Sequence, residues 1–185
     1  MKKIISVFSC ILYFSGNAQT SPPPVIKNPL TTSKGLKINS RKGTLIEKRT
    51  IDLAVFKTLN IQKILTTDMS DNSTENVLGI MTETETFDTI SKKTLTIEKA
   101  ELIKLLLSLQ ILDQKGNETQ NQEYTKYKFV TLSNIEFGCV YRSYAKNWIH
   151  YIKLPSSFNN QNLIEFDKTE LKQLIKILKS AEEQL

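Results

Sequence analysis

Ile97-Glu98-Lys99-Ala100-Glu101-Leu102 and Phe166-Asp167-Lys168-Thr169-Glu170-Leu171 follow one pattern: apolar, acid, Lys, small, Glu, Leu. Each runs on into apolar residues three, four and seven places after its leucine, which is the core stripe of an amphipathic helix. Asp167 is a good N-cap, because its carboxylate can accept from free backbone N–H groups, and Glu170 three places later completes a capping box. Phe166 with Leu171, and Ile97 with Leu102, are spaced as hydrophobic staples. The first copy has the weaker Glu98 at its cap and Glu101 at the third position. Gly116 is its expected stop, in the left-handed conformation glycine tolerates past a helix end.

Working outward, each helix is preceded by strand-like segments. Thr44–Phe56, Leu59–Met69, Glu75–Glu85 and Lys93–Ile97 come before the first helix. Ser70-Asp71-Asn72-Ser73-Thr74 joins the middle pair, and its side chains can bond their own backbone in a turn. Tyr124–Leu132, Ile135–Ser143, Trp148–Leu154 and Leu163–Phe166 come before the second helix. Alternation puts Ile135, Phe137, Cys139 and Tyr141 on one face, and Glu136, Gly138, Val140 and Arg142 on the other. Trp148, His150, Ile152 and Leu154 likewise share a face. The expected fold is α+β: an antiparallel sheet packed by two amphipathic helices, in two pseudo-repeated β-then-α halves, about 44–115 and 116–185. The single-stranded DNA-binding coactivators and plant Whirly proteins also place strands before a helix. No motif here carries a resemblance to them, so function is argued from the residues.

Upstream of the expected domain at 44–185, residues 1–18 read as a secretory signal peptide. Lys2 and Lys3 form a positive start, Ile4–Phe14 a short apolar run, and Gly16-Asn17-Ala18 the small residues before cleavage. Cys10 as a lipid-bearing cysteine is the weaker reading, since few apolar residues precede it. Residues 19–43, with Pro22-Pro23-Pro24 and Pro29, read as a flexible arm that cannot bury enough apolar surface to offset its ordering entropy. Cleavage would leave Cys139 without a disulfide partner, so stability must come from packing. The formal charge of +6 would lose Lys2 and Lys3 to become +4, a modest excess that permits an acidic partner without requiring one.

Chemistry-bearing patterns are scarce. His150 is the sole histidine, with no second imidazole or pair of thiols near it, which argues against a zinc site built from such ligands. There is no phosphate loop, dinucleotide fingerprint or nucleophile elbow. Glu83, Glu85 and Asp88 offer oxygen ligands without the spacing or glycine of a calcium loop. The expectation is therefore no catalytic residue, no metal and no cofactor.

The second half does carry an aromatic and basic mixture. Tyr127, Arg142, Tyr144, Lys146, Trp148 and Tyr151 are the candidate binding surface. Lys168, Lys172, Lys176 and Lys179 line one side of the last helix, as a solvated face would. The leading expectation is an exported, non-enzymatic binding protein of a bacterial cell envelope, periplasmic or secreted and not integral to the membrane. Its partner would be an envelope or extracellular protein or glycan. A single-stranded nucleic-acid module built on the aromatic and basic strands is the alternative, and export weighs against it. An enzyme built around His150 ranks third.

Overall fold

The computed structural model describes residues 37–86, 89–117, 124–144, 146–155 and 162–185. Residues 1–18 and most of 19–43 lie outside them, as do Asp88, Ala145 and most of the polar loops after Gly116 and Pro155. One unit, Leu36–Leu185, holds all the described residues.

The chain runs β1 (Ile46–Phe56), β2 (Leu59–Asp68), β3 (Thr74–Thr86), β4 (Thr89–Glu98) and α1 (Lys99–Lys115). It continues as β5 (Lys126–Val130), β6 (Glu136–Arg142), β7 (Asn147–Lys153), β8 (Leu163–Phe166) and α2 (Lys168–Gln184). Each set of four strands is an antiparallel meander in chain order, giving two four-stranded sheets rather than one. The fold is α+β, with both helices touching both sheets and each other.

Turn chemistry fixes the hairpins. Asp71 accepts from the Ser73 amide and Asp68 from the Ser70 amide, both at 2.9 Å. Asn72 and Asn134 take the left-handed backbone that asparagine tolerates better than most residues. A bulge between Asp52 and Ala54 shifts the β1–β2 register.

One core joins the elements. Leu59, Ile61, Leu78, Ile80 and Ile97 of the first sheet meet Phe137, Cys139 and Ile152 of the second. Leu102, Leu105 and Leu109 of α1 and Leu171, Leu174 and Leu178 of α2 complete it. The rings of Phe56 and Phe166 meet edge to face at 5.3 Å, tying β1 to β8.

The helix starts differ for a tertiary reason. Asp167 and Glu170 form the full capping box, with bonds of 2.8 and 2.9 Å. At α1, Glu98 makes no cap bond and instead pairs with Lys37. Glu101 accepts from the Leu132 amide at 2.5 Å, so it serves the β5–β6 turn rather than its own helix. Gly116 corrects a second expectation: at φ −62° it is right-handed. Its amide donates to Leu112 O, continuing the helical turn instead of reversing it. Below the start of β1, Ile38 is buried in a short 3-10 turn, Ile38–Ser40. Arg41 bonds Asp68, Asp71 and Ser73, so this stretch of the expected arm is fastened to the β2–β3 turn.

Among the described residues, no helix is long and apolar enough to cross a membrane.

Candidate functional site

Strand register divides the second sheet into two chemically different faces. Tyr127 pairs with Cys139, Cys139 with His150, and His150 with Phe166, and this row faces the core. Gly138 pairs with Lys128 and Tyr151, and Tyr151 with Glu165, on the opposite, outer face.

The outer face forms a groove of about 670 Å³. Val140, Ile149 and Leu163 are apolar strand positions in it, Tyr151 and Lys153 stand beside them, and Tyr124 and Tyr144 come from the flanking segments. That volume lies within the usual range for pockets that hold small molecules or peptide side chains. Tyr124 and Tyr144 are 76% and 81% exposed, so two rigid amphipathic rings stand at the groove with little cover.

Two charged devices shape this face. Arg142 Nη2 donates to Glu165 Oε1 at 2.7 Å, reaching from β6 over β7 to β8. Near the other edge, Glu136 Oε1 accepts from Tyr151 Oη at 2.6 Å and lies 2.8 Å from Lys126 Nζ. The Lys126 ammonium also sits 5.2 Å from the centre of the Tyr151 ring. Burial raises the Glu136 carboxyl, but the bonds from Lys126 and Tyr151 outweigh it and hold the group below its ordinary value. Burial first, and the bond to Glu136 second, push the Tyr151 phenol up to about 12. Tyr151 therefore stays a neutral donor at physiological pH.

Gly138 makes this packing possible. A side chain there would meet the Tyr127 carbonyl, with Tyr151 Oη at 2.5 Å and Cζ at 2.7 Å. The ring covers the bare backbone of the cross-strand glycine, a known way of strengthening a strand that lacks a side chain.

The six candidate binding residues do not gather at one place. Arg142, Tyr144 and Tyr151 line the groove. Tyr127 and Trp148 lie on the core-facing side, stacked at 5.7 Å, with Tyr141 tilted against Trp148 at 5.4 Å. Lys146 is exposed in the β6–β7 turn, where its φ is +49°. Tyr124, Lys153, Leu163 and Glu165 join the groove although they are not among those six; Tyr124 and Lys153 do belong to the aromatic and basic mixture of the second half. Strand alternation carried the signal for Lys153 and Glu165, since both fall on the face of Arg142 and Tyr151.

Cys139 and His150 face away from the groove. Cys139 is fully buried, and burial pushes its thiol up to about 12, which leaves no thiolate at neutral pH. His150 is 1% exposed, stacks on Phe166 at 6.0 Å, and neither ring nitrogen has a hydrogen-bond partner among the described residues. Burial lowers its pKa, so it is held as neutral imidazole. Among the described residues, no group of three or more His, Cys, Asp or Glu is placed to hold a metal ion.

Compared with protein-family models, curated proteins and solved structures, the chain has no significant match.

Proposed function

We propose that the chain is an exported, non-enzymatic binding protein of a bacterial cell envelope, periplasmic or secreted, and that the groove on its second sheet receives a protein or glycan partner. The observation that carries this reading is the pair of exposed tyrosines, Tyr124 and Tyr144, at a groove with an apolar floor and charged sides. Tyrosine offers large contact area with a polar tip at low conformational cost, which is why binding surfaces favour it. Export is supported by Lys2, Lys3, the apolar run Ile4–Phe14 and the small residues Gly16-Asn17-Ala18. The non-enzymatic reading is supported by the burial of His150 and Cys139 away from the groove. The two halves, each a four-strand meander followed by a 17-residue helix, also support reading the domain as a duplicated unit.

The test is capture of partners from an envelope fraction, comparing the parent chain with a Tyr124→Ala, Tyr144→Ala double variant. A stoichiometric partner held by the parent and lost from the variant is the expected result. Equal retention by both, or no partner on either, overturns the proposal.

The second reading, a single-stranded nucleic-acid module, draws on the same face. There Lys126, Lys128, Arg142 and Lys153 outnumber Glu136 and Glu165. It requires single-strand binding whose affinity falls steeply with salt, by roughly 0.7 in logarithmic slope per phosphate contacted. Salt-insensitive binding, or none, removes it.

A further inference from the structure

We propose that the free edge of β8 receives an extended peptide segment of a partner protein, which adds a strand to the second sheet and lays alternate side chains in the groove. Resting on the groove reading above, this narrows the partner from a protein or glycan to a protein strand.

β8 ends its sheet, and among the described residues it pairs with no strand but β7. The Leu154 amide donates to Asn162 O at 2.7 Å, just before β8 begins. Antiparallel pairing alternates from that point. Ile164 and Phe166 exchange backbone bonds with Ile152 and His150, and the N–H and C=O groups of Leu163 and Glu165 point to the open side. The side chains of these same two residues line the groove. The open backbone groups and the groove are therefore adjacent.

The two sheets have four edge strands, β1, β4, β5 and β8. Natural sheets protect such edges with lysines, bulges or covering groups, because an open edge pairs with an extended chain. β1 has Lys48, Arg49 and the bulge between Asp52 and Ala54. β4 has Lys92 and Lys93, and the Ser133 hydroxyl donates to its Thr96 carbonyl at 2.6 Å. β5 has Lys126 and Lys128 at positions whose backbone groups point to its open side. β8 has none of these. Its one charge, Glu165, is drawn back across β7 to Arg142, and Leu163 is 51% exposed. Its length of four residues limits it to pairing with a short strand.

Backbone chemistry selects the occupant. Leu163 and Glu165 each offer one donor and one acceptor, separated by about 7 Å along the strand. An extended peptide backbone repeats the matching groups at that interval, and its alternate side chains fall on one face. A peptide residue opposite Leu163 puts its side chain beside the leucine, where an apolar group covers exposed apolar surface.

The experiment uses the full-length chain to select from a random-peptide library displayed on phage. Enriched peptides should bind the parent, and Leu163→Pro should weaken them about 10- to 100-fold by leaving a peptide carbonyl without its donor. The proline removes only an outward N–H, at the first residue of an edge strand, where proline is tolerated. Lys48→Pro, at an outward position of β1, should leave binding unchanged. Amide exchange of the parent reads the same contact without a variant: the Leu163 and Glu165 amides should exchange fast when free and become protected with a selected peptide bound. No enriched peptide, equal binding by Leu163→Pro, or protection at neither amide overturns the proposal. Self-association of the parent that Leu163→Pro abolishes also overturns it, by assigning the edge to a second copy. An envelope partner lost from the Tyr124→Ala, Tyr144→Ala variant but kept by Leu163→Pro overturns the added strand and leaves the groove reading standing. One lost from Leu163→Pro but kept by the double variant supports the strand and overturns the groove reading.

Discussion

Replacing Gly138 with alanine tests the packing that shapes the groove. Gly138 has no positive φ, so alanine meets no backbone strain there, and the effect is purely one of space. The new methyl group would meet the Tyr127 carbonyl and two atoms of Tyr151, at 2.5 and 2.7 Å. All three contacts are closer than side-chain carbons normally approach, and the first is strand backbone held in register with Cys139. Both must give: β5 moves outward, and the Tyr151 ring swings away and gives up its 2.6 Å bond to Glu136. Overpacking of this kind costs about 1–3 kcal/mol. Loss of a hydrogen bond to a charged group adds about 1.5–3 kcal/mol, partly shared with the first cost, so about 2–4 kcal/mol is expected. For a chain of this size that lowers Tm by about 4–16 °C.

Thermal unfolding followed by circular dichroism measures the shift, with Gly79→Ala as the comparison. At Gly79 the nearest atom is the tip of the Ile64 side chain, at 2.8 Å, which can rotate away. Gly79→Ala should therefore cost less than Gly138→Ala. In a Tyr151→Ala background, the cost of Gly138→Ala should shrink, because two of its three close neighbours are gone. A Gly138→Ala shift smaller than that of Gly79→Ala would refute the packing argument.

Three further outcomes are expected. His150→Leu should stabilise the fold, most at acid pH: the folded state disfavours the imidazolium, so the unfolded parent gains protons below about 6.5 and parent stability declines as pH falls through that region. Asp113 of α1 and Asp167 and Lys168 of α2 are the charged groups acting on His150. Urea unfolding at pH 7.5 and 5.0 checks it, and a variant that loses as much stability as the parent contradicts it. Asp167→Ala should cost about 1 kcal/mol through loss of the α2 cap, visible as a lower urea midpoint, whereas Glu98→Ala should leave helix capping unaffected. The Ser73 hydroxyl and amide, with Arg41, hold Asp71 at about 2 against an ordinary 3.8. Its contribution is complete above about 3.8 and fades as pH falls through about 2. Asp71→Asn should be less stable than the parent at pH 6, and the gap should close near pH 2 in the same assay.

Much of the architecture was legible in the residues because its causes are local. The capping box at Asp167 depends on four consecutive residues, and the Asp-Asn-Ser turn between β2 and β3 depends on side chains bonding their own backbone. Strand alternation already separated Arg142 and Tyr151 from Trp148 and His150, since successive strand side chains point to opposite faces. The groove itself was only half legible. Its strand residues share a parity that can be counted, but Tyr124 and Asn162 reach it from segments whose position depends on the tertiary fold.

By itself, then, the sequence determined where most strands and both helices lie, and which side of β6 and β7 is apolar, because those follow from spacing and short-range bonding. Only the tertiary structure decided that the strands split into two sheets around one core. It also turned Glu101 from its own helix to the Leu132 amide and left Ile103, Leu107 and Ile111 uncovered on α1. These outcomes depend on residues far apart in the chain competing for the same partner or the same surface, and spacing along the chain does not encode that competition.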